Sequence, residues 1–116
     1  MKKIVLLAML FFVGYSTTVF SQKHAPRPAK QRVKLPGIYP EGSQRMLGLS
    51  DVRGLNSWDL KVMRNEIFAR HGYIFKSEEM VNYFSSQRWY QPIYDDVTPF
   101  LSEIEKKNID FIKSIE

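Results

Sequence analysis

The sequence contains no cysteine, and among its 116 residues there are two histidines, His24 and His71. The lack of cysteine excludes a disulfide scaffold, a thiolate zinc site and a cysteine nucleophile. Two histidines are also too few for a metal centre built from imidazole ligands. We therefore expect neither a metal ion nor a cofactor.

The sequence also lacks an apolar run at its start that is long enough to span a bilayer. Residues 4–13 form a run of ten apolar residues, whereas a hydrocarbon core of about 30 Å needs about 20. Lys2 and Lys3 precede this run, and a polar stretch that ends at Ser21 follows it. This order is typical of a secretory signal peptide. We predict a signal peptide over residues 1–21, cleavage near Ser21 and export to the periplasm or outside the cell, with an uncleaved anchor as the alternative. No transmembrane segment is expected in the mature chain.

The net charge of +5 is unevenly distributed. Residues 22–38 combine Pro26, Pro28 and Pro36 with several basic residues, which predicts an extended linker. The linker is either a solvated spacer or a segment that grips an anionic envelope polymer or lipid headgroups. Residues 46–116 carry nine basic and eleven acidic residues. Because this part is mildly acidic, we expect it not to bind nucleic acid.

Residues 39–116 are predicted to form the folded domain, because eleven of the sixteen aromatic residues lie within residues 46–116. A first long helix is expected to begin at Asn56 or Ser57 and to end at His71, just before Gly72. Its apolar stripe contains Leu60, Met63 and Ile67.

Two further helices follow in the predicted domain. One begins after Ser77 and ends near Ser86, and the other begins at Ser102 with a capping box. The inward positions of this last helix are predicted to be Ile104, Asn108, Phe111 or Ile112, and Ile115. Short helical turns are expected to start at Ser43 and Ser50. No strand pattern is present, so the sequence predicts a small all-α domain of three helices, with an aromatic-rich loop before the last helix.

Residues 63–75 read MRNEIFARHGYIF, and the pairs Trp89-Tyr90 and Leu101-Ser102 and the run 105–109 follow in order. This combination resembles the YARHG domain, a small extracellular bacterial domain, over residues 39–115. The resemblance implies a secreted or envelope-facing module and no particular activity. The sequence departs from the family at Phe68, where the family has tyrosine, so a role for that hydroxyl cannot be transferred.

The polar residues Arg64, Asn65, Glu66, Arg70 and His71 lie within about two helical turns. Glu66 and Arg70 have the i,i+4 spacing of a helix ion pair, and His71 is placed to cap the helix. These residues form either a structural network or a binding surface. In the structural interpretation, a buried Arg70 holds the Trp89-Tyr90 loop through backbone carbonyls and through Glu66, Asp95 or Asp96.

An aromatic group in the loop consists of Trp89, Tyr90 and Tyr94. It is either a platform on which sugar rings or a proline-rich peptide stack, or a lid that covers the core. Trp58 is expected to pack on the core, and Asn108 to bond a loop backbone as a buried amide.

Two functional hypotheses remain open. The first is a non-catalytic binding module of the bacterial cell envelope, with a glycan polymer or a protein as its partner. The second is a small hydrolase that acts on envelope material and uses Glu66 with Asp95 or Asp96 as its two carboxylates.

Overall fold

The structure is a computed structural model that describes residues 34–116. It contains a 3₁₀ helix at Pro40–Ser43, α1 at Leu49–Val52, α2 at Ser57–Arg70, α3 at Glu78–Ser85, a second 3₁₀ helix at Thr98–Phe100, and α4 at Glu103–Ile115. Three helices have seven or more residues, and the described residues include no strand beyond an isolated bridge between Tyr73 and Tyr94. The predicted all-α class is therefore confirmed. The predicted signal peptide and most of the predicted linker lie outside the described residues.

The three long helices begin at the predicted caps. The side chains of Asn56, Ser77 and Ser102 each accept a hydrogen bond from the backbone N–H three residues later. At the other end of α2, His71 is the C-cap and Gly72 has a φ of +83°. Glycine adopts this left-handed conformation without the steric cost that a Cβ brings, so it ends the helix cleanly.

The two short turns differ from their predicted starts. Ser43 ends a 3₁₀ helix that begins at Pro40, and α1 begins at Leu49. Proline fixes φ near the helical value and needs no N–H partner in the first turn, so Pro40 determines where this helix begins.

The main apolar core lies between α2 and α4. Its buried side chains are Leu47, Leu60, Met63, Ile67, Ile109 and Ile112. The predicted inward positions of Ile104 and Ile115 are wrong, because these side chains are 37% and 38% exposed. The buried positions of α4 are Glu105, Asn108, Ile109 and Ile112, so polar residues occupy part of the face that α4 turns to α2.

A second apolar cluster contains Ala69, Phe75, Met80 and Phe84. The rings of Phe75 and Phe84 stack with centroids 4.7 Å apart. The prediction that Trp58 packs on the core is wrong, because Trp58 is 41% exposed and belongs to neither cluster. Its ring forms a T-shaped pair with that of Tyr83, with centroids 5.6 Å apart. The cluster fixes α3 and the following loop against the end of α2.

Residues 36–47, which we call the N-terminal segment, contact both α2 and α4. Leu47 belongs to the main core, and Tyr39 packs against it. The last residues assigned to the predicted linker, 36–38, take part in these contacts through Pro36 and Ile38. Within residues 34–116, no helix combines the length and the hydropathy that crossing a membrane requires.

Candidate functional site

The polar residues of the stretch 63–75, which we call the motif, lie on two different faces of α2. Successive residues of an α-helix are about 100° apart, so Glu66 and Arg70 share one face, whereas Arg64, Asn65 and Phe68 share another. The first face points to the N-terminal segment and the second to the loop that precedes α4. The two faces have different partners and are described separately.

Glu66 holds the start of the N-terminal segment. Its side chain is 1% exposed, and its two oxygens accept hydrogen bonds from the N–H groups of Ile38 and Tyr39, each at 2.8 Å. Gly37 lies directly over this carboxylate with a φ of +112°, and a Cβ there would be 2.8 Å from it. Burial raises the pKa of Glu66, while the two backbone N–H groups and Arg70 act in the opposite direction. Both oxygens of this carboxylate therefore already accept hydrogen bonds from the backbone of its own chain.

Arg70 holds the rest of that segment. Its side chain is 5% exposed and lies 3.6 Å from the Glu66 carboxylate. It donates hydrogen bonds to the carbonyls of Pro36 and Tyr39 at 3.1 and 3.3 Å, and to the Ser43 hydroxyl at 2.9 Å. Arg70 is therefore buried, as the structural interpretation expects, but its hydrogen bonds go to the N-terminal segment and not to the Trp89-Tyr90 loop.

His71 connects α2 to α4. Its Nε2 lies 2.9 and 3.0 Å from the two carboxylate oxygens of Glu105. The Ser43 hydroxyl donates to the same carboxylate at 2.8 Å, and the Ser102 N–H donates at 3.0 Å. Burial raises the pKa of Glu105, but hydrogen bonds from Ser102, His71 and Ser43 outweigh it and bring the pKa below its ordinary value. We call the connected set Glu66, Arg70, Ser43, Glu105 and His71 the polar network.

Asn108 completes the attachment of the N-terminal segment. Its side chain is fully buried and donates to the carbonyls of Gly42 and Arg45, each at 2.8 Å. Its Oδ1 accepts from the N–H of Leu47 at 2.9 Å. The prediction that this amide bonds a loop backbone is confirmed. No buried side-chain nitrogen or oxygen within residues 34–116 lacks a hydrogen-bond partner.

Trp89 and Tyr90 pack on the second apolar cluster. Their ring centroids lie 6.0 and 5.7 Å from that of Phe84, and the Tyr90 hydroxyl donates to the carbonyl of Tyr73. Trp89 also lines a cavity of about 130 Å³ with Arg70 and His71. The structure thus brings Trp89 near the end of α2, and it uses Tyr90 to fix the chain after Gly72.

The other face of α2 borders a cleft of about 310 Å³. Arg64, Asn65 and Phe68 line one side, and Tyr73 and residues 95–98 line the other. We call this space the α2 cleft. The buried Val97 anchors the loop that forms the second wall. The cleft combines two aromatic rings, one amide, one guanidinium and two carboxylates.

The charged groups of the α2 cleft differ in their partners. Glu116 accepts two hydrogen bonds from the Arg64 guanidinium, at 2.6 and 2.8 Å. Lys76 lies 3.2 Å from Asp95, and both side chains are largely exposed. The carboxylate of Asp96 accepts a hydrogen bond from the Thr98 N–H at 2.9 Å, and this bond lowers the pKa of Asp96.

Asn65 is the least exposed polar residue of the cleft. It is 9% exposed, and its Nδ2 donates to the Lys61 carbonyl at 2.8 Å. Its Oδ1 accepts no hydrogen bond from the residues that the structure describes. Among residues 34–116, this oxygen is an acceptor without a donor on a residue that lines the cleft.

The carboxylates of the hydrolase hypothesis are not brought together. Glu66 turns both oxygens to the N-terminal segment and does not line the α2 cleft, whereas Asp95 and Asp96 do. Within residues 34–116, no three His, Asp or Glu side chains lie close enough together to hold a metal ion.

Comparison with known proteins gives one match. The family model of the YARHG domain matches residues 37–116. The match begins at Gly37, the residue that covers the Glu66 carboxylate, and it includes the whole polar network. No curated protein and no solved structure matches the chain. Because the family model covers more than half of the chain, the chain belongs to the YARHG domain family.

Proposed function

We propose that this protein is a non-catalytic binding module of the bacterial cell envelope, and that its α2 cleft binds a glycan chain. The observation that carries this proposal is the convergence of aromatic and polar side chains in a cleft of about 310 Å³, on the face of α2 that the polar network does not use. The lining of this cleft is more polar than apolar, and polar groups that converge beside aromatic rings can orient a small ligand.

The polar network supports the proposal by elimination. Glu66, Arg70 and Glu105 all have their hydrogen bonds within the chain. A buried charge that has such partners is costly to expose, since its partners would lose their hydrogen bonds. The network therefore maintains the fold, and a ligand surface is to be sought elsewhere on the domain.

The chemistry of the α2 cleft suits a sugar ring. Phe68 and Tyr73 are half-buried, with centroids 6.0 Å apart, and their rings provide apolar surface for the C–H face of a sugar. Asn65 and Asp96 supply hydrogen-bond acceptors for hydroxyl groups, and Thr98 supplies a hydroxyl of its own. The volume accommodates a small ligand group, which fits one residue of a longer glycan.

An envelope location is part of this proposal. It is supported by the basic start, the ten-residue apolar run and the polar stretch that ends at Ser21. Mass spectrometry of the protein recovered outside the cytoplasm tests it. We expect a chain that begins at or near Gln22, and an intact Met1 would contradict export by cleavage.

The binding function is tested by NMR titration of the full exported chain with an oligomer of N-acetylglucosamine. We expect shifts concentrated at the residues of the α2 cleft. Asn65→Leu, which keeps the branched shape of the side chain but removes the amide oxygen and the hydrogen bond to the Lys61 carbonyl, should abolish these shifts. The matched control is Asn82→Leu, because Asn82 is exposed on α3 and does not line the cleft. Unchanged binding by Asn65→Leu, or shifts confined to other surfaces, would contradict the proposal.

A further inference from the structure

We propose, resting on the glycan-binding function above, that the α2 cleft selects an amino sugar whose amine is unacetylated and therefore cationic. The juxtaposition behind this inference is an unpaired carboxylate, an available amide oxygen and two aromatic rings in one cleft. These are Asp96, Asn65, and the rings of Phe68 and Tyr73.

The charges of the cleft do not cancel. The positive charge of Arg64 is neutralised by Glu116, which it contacts through two nitrogens. Lys76 neutralises Asp95 across 3.2 Å. Asp96 has no cationic partner within residues 34–116, and its hydrogen bond from Thr98 stabilises the ionised form. The cleft therefore carries one negative charge, which attracts an ammonium group and repels carboxylates and phosphates.

Two further features suit an ammonium group in particular. The Oδ1 of Asn65 is an acceptor on a residue that is more than nine-tenths buried, so its position is fixed. Phe68 and Tyr73 also line the cleft, and the quadrupole of an aromatic ring attracts a cation over its face more strongly than it attracts a neutral amide. An ammonium has three donors and no acceptor, which matches two acceptor residues that line one cleft, Asp96 and Asn65.

Acetylation would remove each of these advantages. An N-acetyl group has no charge and a single N–H donor. Its carbonyl is an acceptor, and neither the Asp96 carboxylate nor the Asn65 Oδ1 can donate a hydrogen bond to it. The neutral sugar keeps its ring and hydroxyl groups, so it retains the contacts of the proposed glycan site. The structure thus predicts a preference between two sugars rather than exclusive binding of one.

The experiment compares two probes on the full exported chain by isothermal titration calorimetry. The probes are a glucosamine oligomer and an N-acetylglucosamine oligomer of equal length, at about pH 6, where an amine is protonated. We expect the wild-type protein to bind the glucosamine oligomer roughly tenfold more tightly, about 1.4 kcal/mol. Asp96→Asn keeps the acceptor for Thr98 and removes the charge. It should abolish the preference, so that this variant binds the two oligomers with equal affinity.

The matched control is Asp110→Asn, because Asp110 is exposed on α4 and does not line the cleft. This variant should keep the tenfold preference. Equal affinity of the wild-type protein for both oligomers would overturn the amine selectivity and leave the glycan site standing. An equal loss of preference in Asp110→Asn would also overturn it, since the preference would then follow net charge. If neither oligomer binds, the proposed glycan function itself fails.

Discussion

Arg70→Ala should destabilise the domain strongly, because it removes the residue that joins α2 to the N-terminal segment. The guanidinium makes three hydrogen bonds outside α2, to Pro36, Tyr39 and Ser43, and one ion pair with Glu66. After the substitution, the Pro36 and Tyr39 carbonyls and the Ser43 hydroxyl lose a donor, and the buried Glu66 carboxylate loses its cationic partner.

The magnitude follows from burial. Breaking a buried ion pair by removing one partner costs about 3–5 kcal/mol, because the other charge is left uncompensated. Both side chains of this pair are at least 95% buried, with exposures of 5% and 1%, so solvent screening does not reduce the figure much. A solvated helix pair with the same i,i+4 spacing would contribute only about 0.3–0.5 kcal/mol. The loss of stability expected for a buried pair is therefore several times that expected for a solvated pair, and a single denaturation experiment can distinguish them.

The assay is urea denaturation of the full exported chain, followed by circular dichroism. Arg70→Lys should be intermediate, since lysine keeps the charge but cannot reproduce the fork of donors. Arg88→Ala is the control, because Arg88 is exposed on the loop after α3 and has no ion pair within the described residues; it should change stability by less than about 0.5 kcal/mol.

In a double-mutant cycle, Arg70→Ala combined with Glu66→Gln should cost less than the sum of the two changes. A cost below about 1 kcal/mol for Arg70→Ala would refute the buried network.

Three further predictions concern the same attachment. Gly37→Ala should destabilise by at least about 1–2 kcal/mol in thermal melts, because its φ is left-handed and its Cβ would meet the carboxylate behind it, whereas Gly48→Ala, with open space around it, should have little effect. The free energy of unfolding should fall as the pH drops below 4.5, the ordinary pKa of a glutamate carboxyl, because the pKa of Glu105 is lower in the folded state. In acid titrations of Glu105→Gln, the free energy of unfolding should depend less on pH in this range. A chain that begins at Lys34 should melt like the full chain, whereas one that begins at Tyr39 should melt at a lower temperature; equal melting temperatures would count against the contacts of residues 36–38.

The sequence predicted the helices well because their signals are local. The caps at Asn56, Ser77 and Ser102 and the glycine after α2 act within a few residues, so spacing alone identifies them. The burial of Asn108 followed from its place on an apolar stripe. In contrast, the interior positions of α4 were only partly predicted, because Glu105 takes an inward position that periodicity assigns to Ile104.

The partners of the polar network could not be read from spacing. Ser43 and Glu105 are 62 residues apart, and their contact depends on how α4 packs on α2. Glu105 carried a local signal as part of a capping box, which concealed its second role as the partner of His71. The α2 cleft was equally hidden, because Tyr73 and Thr98 joined Arg64 and Asn65 only through the fold.

The most direct test of the central claim, that Glu66 and Arg70 hold the N-terminal segment, is amide hydrogen exchange at Ile38 and Tyr39, measured by NMR. These two N–H groups donate to Glu66, and neither belongs to a helix. We predict strong protection in the wild-type protein, close to that of the α2 amides, and a large loss of protection at both positions in Arg70→Ala. Exchange at the rate of an unstructured chain in the wild-type protein would contradict the account.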